Sequence, residues 1–482
     1  MKKITNFLTQ LPSTSNWNFW LCLSLCLKFV FFIFFAQFFS NVTEETILFP
    51  RFWGTVSPDT YTYLASMEKL IATHDLAYLF EFRMFGYGIP YAAARFFFEP
   101  SSALNLLIIL QTILSAISVY YLSLLAVLWS KKEQVFYYTF FVYFLVMGLS
   151  FYDTVALTES FSTSCLVISL YYLCLSPSKF NLLLSGSLLA WGIFMRPVFF
   201  PLLLIYIGYL VYNFYSTNYK KLTLSILVFL LPIFILESVW QYGMTKYKGE
   251  FHLTTPSLFH PSYLRENEHS IEKIQFLKAM GEDWEKSNWF TSEEKDMQQP
   301  SIINTSVFNM DSLINLKTDL IRFDTISNLS AKLTLNAEIK KRLDAYSLAI
   351  KKEYLLHYYL LAPAKNLMRI ALKSSTHRML GEYKTMNQKL KPFRFILDSI
   401  FWMIELGFIL AIFIFIKNRR VDVLTIMIFS IILYFYFIHT IVFKSSDNRY
   451  LLPIMPFLVL VFTNIVYRLY SHYYSIKSKS IR

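Results

Sequence analysis

Charged residues are scarce in this chain. They make up 16% of its 482 positions, against about 25% in a soluble globular protein, so a fully water-facing surface is excluded. Glycine occurs only 12 times, and no glycine-rich phosphate loop or dinucleotide fingerprint forms, which argues against a Rossmann-type nucleotide-sugar site. Cysteine is limited to Cys22, Cys26, Cys165 and Cys174, all inside apolar runs. They read as small buried hydrophobes rather than disulfides or zinc ligands, and they carry no information on compartment. No basic DNA-reading helix occurs, and nucleic acid is not an expected partner.

What is present is apolar and aromatic: 55% hydrophobic residues and 19% Phe, Trp and Tyr. The solvent is therefore largely lipid. Runs long enough to cross about 30 Å of hydrocarbon fall at 17–40, 103–129, 135–151, 158–175, 180–195, 197–215, 222–240, 395–416, 422–443 and 450–470. The opening MKKITNF resembles a signal peptide, but its apolar run is too long and no small-residue cleavage site follows. With both termini cytoplasmic, the inside segments hold Lys2-Lys3, Lys131-Lys132, Lys179, Lys220-Lys221, Lys417 with Arg419-Arg420, and the final Lys477, Lys479 and Arg482. Every inside segment is basic, as the positive-inside rule asks, and the net charge of +13 is accounted for at that face.

The expected fold class is an all-α polytopic membrane protein with about ten transmembrane helices, exterior juxtamembrane helices and a mostly helical exterior cap. Its expected parts are a transmembrane module over 1–240 with an exterior loop at 41–102, an exterior cap over 241–394, and C-terminal transmembrane helices over 395–482. Near the end of the cap, Lys365, Arg369 and Lys373 recur every four residues beside Leu367, Ile370 and Leu372. That spacing predicts an amphipathic helix lying among lipid headgroups.

The first exterior loop draws most attention. Ser57-Pro58-Asp59 reads as a helix start, with a capping hydroxyl and proline at the first helical position. Tyr63 shares the face of Asp59 at i+4. Two readings fit Asp59: a carboxylate that satisfies the helix start, or a general base for an attacking hydroxyl. Arg83 and the turn Gly86-Tyr87-Gly88-Ile89-Pro90 follow. Asp153 and Glu159 flank the head of a later span, either as a solvated turn or as acids that serve an acceptor; Glu159, inside the apolar run, could position that acceptor, hold a divalent cation, or pair with Arg83 or Arg196. Arg196, before Pro197, interrupts nearly continuous apolar sequence, and a guanidinium at that depth calls for snorkelling or for an anion. A lipid-linked phosphate fits that fork. Lys444, Asp447 and Arg449 precede the last span on the exterior side, and His377-Arg378 forms a further basic pair.

Taken in order, these residues resemble the GT-C class of integral-membrane glycosyltransferases, in particular the branch with protein O-mannosyltransferases and the lipid A aminoarabinose transferase. Arg83 with Gly86-Tyr87-Gly88-Ile89-Pro90 is similar to that family's Arg…Gly-Tyr-Pro signature. Arg449-Tyr450-Leu451-Leu452-Pro453-Ile454-Met455-Pro456 is similar to its Arg-Tyr…Pro lead-in to the final span, and the stretch at Pro363 to its proline-led interfacial helix. The resemblance implies a polyprenyl-phosphate-linked sugar donor and a lipid, glycan or protein acceptor on the exterior leaflet. It implies Asp59 as the catalytic base of an inverting transfer, with Arg83, Arg196, Arg449 and Lys444 toward the donor phosphate. Tyr63, Tyr87 and His377 would position the substrates. Close relatives often carry Asp-Glu where this chain has Asp59-Thr60, so a second acid's part is either absent or falls to Asp153 or Glu159. Residues 262–350 lie outside the resemblance. Low glycine with abundant Phe, Lys, Ile and Asn points to an AT-rich bacterial genome, hence to an inner membrane with the site facing the periplasm.

Two other functions compete. An O-antigen polymerase or ligase also uses exterior arginines, but has no need of an early acid in the first loop. A lipid-linked glycan flippase or transporter would place polar groups near mid-membrane and repeat broken spans in both halves. Here the polar groups gather at one face.

Overall fold

The computed structural model describes residues 12–39, 53–80, 83–175, 178–214, 219–249, 269–281, 302, 304–374, 376–380, 387–417, 422–442 and 448–480. Among them the chain is helical, with one isolated bridge of extended backbone between Thr55 and Val155. It divides into two compact units: residues 1–258, 374–432 and 449–482 form the first, and 259–373 with 433–448 the second.

The first ten helices are α1 Trp17–Phe39, α2 Pro58–Thr73, α3 Gly88–Arg95, α4 Pro100–Ser130, α5 Gln134–Leu145, α6 Met147–Phe151, α7 Thr158–Cys174, α8 Lys179–Met195, α9 Leu202–Phe214 and α10 Tyr219–Lys248. Then follow α11 Ser270–Met280, α12 Met310–Thr325, α13 Leu329–Glu353, α14 Ala362–Leu372, α15 Thr376–Leu380, α16 Lys391–Lys417, α17 Val423–Phe437 and α18 Met455–Ser480. Each apolar run expected from the sequence coincides with a helix or a bent pair of helices. Among the described residues, seven segments are long and apolar enough to cross a membrane: Trp17–Phe35, Pro100–Ser130, Pro197–Phe214, Tyr219–Tyr247, Gln388–Lys417, Val423–Val442 and Arg449–Tyr473. The protein is thus an all-α integral membrane protein. The count becomes eight if α5 and α6, bent by 66°, form one span. The bend falls at Val146, whose φ of −84° and ψ of 71° leave the helical basin. Helices α7 and α8 have 17 residues each, short of the ~20 a straight span uses. The expected ten is therefore not reached by length and apolarity.

Lipid offers no hydrophobic drive to bring helices together, so small residues and internal hydrogen bonds hold the first unit. Between α7 and α8, Ser169 and Ser185 each donate to the other's carbonyl at 2.8 Å. A Cβ on Gly186 would stand 2.0 Å from the Phe229 carbonyl oxygen, which shows how closely α8 and α10 approach. Fully buried Trp20 of α1 packs edge-on to Phe136 and Phe140 of α5. Helices α2 and α3 are clamped by Glu68, which takes Arg95 Nε at 2.7 Å and Nη2 at 3.0 Å and also accepts from the Tyr91 hydroxyl. Burial alone would raise the Glu68 carboxyl, but these donors outweigh it and hold it below its ordinary value.

The second unit is a helical body with ordinary soluble chemistry. Helix α12 starts with a capping box, Asn309 accepting from Ser312 N at 3.0 Å. Arg342 of α13 meets Asp319 of α12 at 2.6 Å. Phe276, Leu316, Ile339 and Ile350 fill its core. In α14, Ile370 turns inward while Leu367, Met368 and Leu372 are exposed beside Lys365 and Arg369.

Lys278 of α11 lies against this core, and burial pulls its ammonium down to about 8. Between there and the ordinary lysine value of 10.5, the unfolded state holds the proton that the folded state has lost, so stability rises with pH. Below about pH 8 both states are protonated, and the cost of the buried charge is present in full. Lys278→Met is expected to stabilise this unit at neutral pH by about 3 kcal/mol and to abolish the rise above pH 8. Thermal melts at about pH 7 and pH 9.5 check it, and an unchanged neutral melt would refute it.

Candidate active site

The site begins at the start of α2. Ser57 Oγ accepts from Asp59 N at 3.1 Å, and Thr60 Oγ1 accepts from Ser57 N at 2.9 Å, with Pro58 in the first turn. Ser57 and Thr60 therefore make the cap. The Asp59 carboxylate turns to two arginines instead: Oδ2 is 2.7 Å from Arg449 Nη2, and Oδ1 is 3.4 Å from Arg83 Nη2.

Arg83 comes from the turn after α2 and is held by its other nitrogens. Nε donates to Thr62 Oγ1 at 3.0 Å, and Nη1 donates to Tyr63 Oη at 2.9 Å. The guanidinium lies 4.1 Å from the centre of the Tyr63 ring. The i+4 spacing of Asp59 and Tyr63 thus brings both to one arginine, as helical geometry requires.

A second acid lies deeper. Glu159, in the first turn of α7, has Oε1 3.2 Å from Arg196 Nη1 and 3.9 Å from Arg449 Nε. Arg449 therefore stands between the two carboxylates. Arg196 follows α8 in extended backbone, with φ −141° and ψ 96°, so its side chain leaves the helix axis just where Pro197 bars continuation. Tyr450 lies under both cations, its ring centre 5.0 Å from the Arg449 guanidinium and 5.7 Å from that of Arg196, and its hydroxyl accepts from Arg449 Nη2 at 3.1 Å.

Exposure is graded along this cluster. The Asp59 side chain is 28% exposed and that of Glu159 only 5%, so a group from outside the protein can reach the first and not the second. Three guanidiniums face two carboxylates, leaving one positive charge in excess. Arg196 Nη1 is buried, and its 3.2 Å ion pair with Glu159 lacks hydrogen-bond alignment among the described residues, so its N–H groups can realign toward an anion. A low-dielectric site of this kind strengthens each charge interaction.

Of the residues singled out from sequence, Asp59, Tyr63, Arg83, Glu159, Arg196 and Arg449 come together. Tyr87 is fully buried behind them and donates to Gln111 Oε1 at 3.3 Å. Burial, with Glu159 and Tyr63 adding to it, pushes its phenol well above the ordinary range. Asp153 is placed elsewhere: it forms a buried ion pair with Lys28 of α1 at 2.7 Å. Its six-residue separation from Glu159 spans a 3₁₀ turn and the extended Leu157, φ −139° and ψ 165°, so the two acids point into different surroundings. Lys444 and Asp447 lie outside the described residues, as do the side chains of His377 and Arg378, whose backbone belongs to α15. The sequence alone assigns no part to Lys28, Thr62 or Gln111, and it places Tyr450 only within the Arg-Tyr…Pro lead-in. Lys28 had a visible signal, a charge within the apolar run of the first span.

Among the described residues no three His, Cys, Asp or Glu side chains gather as metal ligands; the two acids of the cluster face arginines. No protein-family model and no curated protein matches the chain. Among solved structures, ArnT from Cupriavidus metallidurans bound to undecaprenyl phosphate is similar at 12% identity and a TM-score of 0.37, over 93% of this chain and 78% of that chain.

Proposed function

We propose that this protein is a GT-C-type membrane glycosyltransferase that moves a sugar from a polyprenyl-phosphate donor to an acceptor hydroxyl on the exterior leaflet. The observation that carries the reading is the Asp59–Arg449–Glu159–Arg196 chain: a reachable carboxylate at one end, the buried Arg196 guanidinium at the other, and, with Arg83 beside Asp59, one positive charge in excess. A donor phosphate would take two parallel hydrogen bonds from a guanidinium fork. As Arg449 and Arg83 turn to that anion, the lone pairs of Asp59 become available to the acceptor. Asp59 then takes the hydroxyl proton, the acceptor oxygen bonds to the anomeric carbon, and the bond from that carbon to the phosphate oxygen breaks with inversion. The phosphate leaves with the electron pair, and the arginines hold its developing charge. Glu159 keeps Arg196 and Arg449 oriented during the exchange of partners. The lipid surface of the bundle suits a long isoprenoid tail.

Purified protein given short-chain polyprenyl-phosphate sugars and native membrane lipids should consume donor and label an acceptor. Arg449→Ala is expected to lower turnover by about 10²- to 10³-fold, the usual cost of removing a charge-stabilising donor. A wild-type protein that binds polyprenyl phosphate yet never breaks the sugar–phosphate bond would overturn the proposal in favour of transport. Transfer that ignores Asp59 would favour the polymerase or ligase chemistry.

A further inference from the structure

We infer that Lys28, in the first membrane span, is a positioning residue. Its ion pair with Asp153 fixes the turn from which both acids of the site are set. Lys28 is almost fully buried, its side chain 1% exposed and that of Asp153 3%. Its ammonium reaches Asp153 Oδ2 at 2.7 Å, Ser150 Oγ at 3.2 Å and Tyr143 Oη at 3.4 Å, which uses its three donors. The other Asp153 oxygen accepts from Ser160 Oγ, directly after Glu159 in the chain. The same turn is gripped from α4, where the Gln111 amide donates to the carbonyls of Asp153 at 2.7 Å and Val155 at 2.8 Å.

That turn in turn holds the base. Thr55 N donates to the Thr154 carbonyl and Ala156 N to the Thr55 carbonyl, both at 2.9 Å. Thr60 Oγ1, the capping partner beside Asp59, donates to the Ala156 carbonyl at 2.7 Å. An unbroken series of polar contacts therefore runs from α1 through residues 153–156 to the start of α2 on one side and to Glu159 on the other. A charge buried in a span is costly unless it has a specific task. Apolar residues could fill this space, but they could not point the turn. The catalytic consequence rests on the transferase reading above; the coupling of the two segments does not.

The test compares Lys28→Met, Lys28→Arg, and the paired replacement Lys28→Met with Asp153→Leu. Amide hydrogen exchange is followed over residues 53–60 and 152–160, and turnover is measured per folded molecule. Lys28→Met is expected to speed exchange in both segments at least about tenfold while α4 stays protected. It should also cut turnover by about a hundredfold with donor affinity unchanged, as for a small misplacement of catalytic groups. Lys28→Arg should restore much of the protection. The paired apolar variant should melt like wild type yet keep the fast exchange and low turnover, which a merely structural pair would not do. Wild-type exchange and turnover in that paired variant would overturn the inference. Changed exchange in a protein whose wild type transfers nothing would leave the coupling standing and sink the transferase reading alone.

Discussion

Asp59→Asn is expected to lower sugar transfer by about 10²- to 10⁴-fold, the range a positioned general base contributes. Asparagine keeps the size of the side chain and still accepts from one arginine, so the fold and the Arg449 contact have little reason to change. What it removes is the proton acceptor of the proposed mechanism. The cap of α2 is made by Ser57 and Thr60, and those hydrogen bonds survive the substitution, so the melting temperature should stay near wild type. Donor binding should survive as well, or tighten, because one carboxylate no longer competes for Arg449 and Arg83. Turnover and binding of a short-chain polyprenyl phosphate, measured on the same preparation, separate these effects. Undiminished transfer would refute Asp59 as the base. Glu159→Gln gives the contrast: its acid is closed off from an acceptor, so its loss should weaken donor binding through Arg196 and Arg449 rather than remove a base.

Gly86→Ala is the second large effect, and it comes from backbone contact alone. A Cβ there would meet the Phe194 carbonyl carbon at 2.5 Å, its oxygen at 2.6 Å and the Met195 nitrogen at 2.8 Å. These are main-chain atoms at the end of α8 and cannot swing aside. Overpacking of this kind costs about 1–3 kcal/mol, sometimes more. It also pushes apart the turn that carries Arg83 and Tyr87 and the segment that carries Arg196. A lowered melting temperature together with weakened phosphate binding is the expected pair of results. Gly208 is the control, since nothing lies within 4 Å of a Cβ there, and Gly208→Ala, inside helix α9, should leave stability unharmed or raise it by about 0.5–1 kcal/mol. A wild-type melt for Gly86→Ala would mean that α8 yields where the structure places it rigidly.

Much was legible in the chain itself. Scarce charge and long apolar runs fix the solvent as lipid, and in lipid a spanning backbone must satisfy its own hydrogen bonds, so helix follows from composition. The start of α2 was legible because capping is local: a hydroxyl, a proline and the next polar residues act within one turn. Asp59 and Tyr63 share a face by helical period alone. The basic residues Arg196 and Arg449 stood out because each interrupts or adjoins an apolar run in which a charge is costly.

Only the tertiary structure decided the partners. Asp59 and Arg449 lie at opposite ends of the sequence and meet at 2.7 Å, which no local pattern encodes. Asp153 and Glu159 are neighbours of the same type, yet an extended residue between a 3₁₀ turn and a helix sends one to Lys28 and the other to Arg196. The isolated lysine in the first span was visible, but its purpose depended on Gln111, Thr55 and Ser160 arriving from three other segments. Composition and period determine which residues face lipid and where helices start, because those are sums over neighbouring residues. Which charges neutralise one another is set by how the helices pack, and so the polar cluster belongs to the folded chain alone.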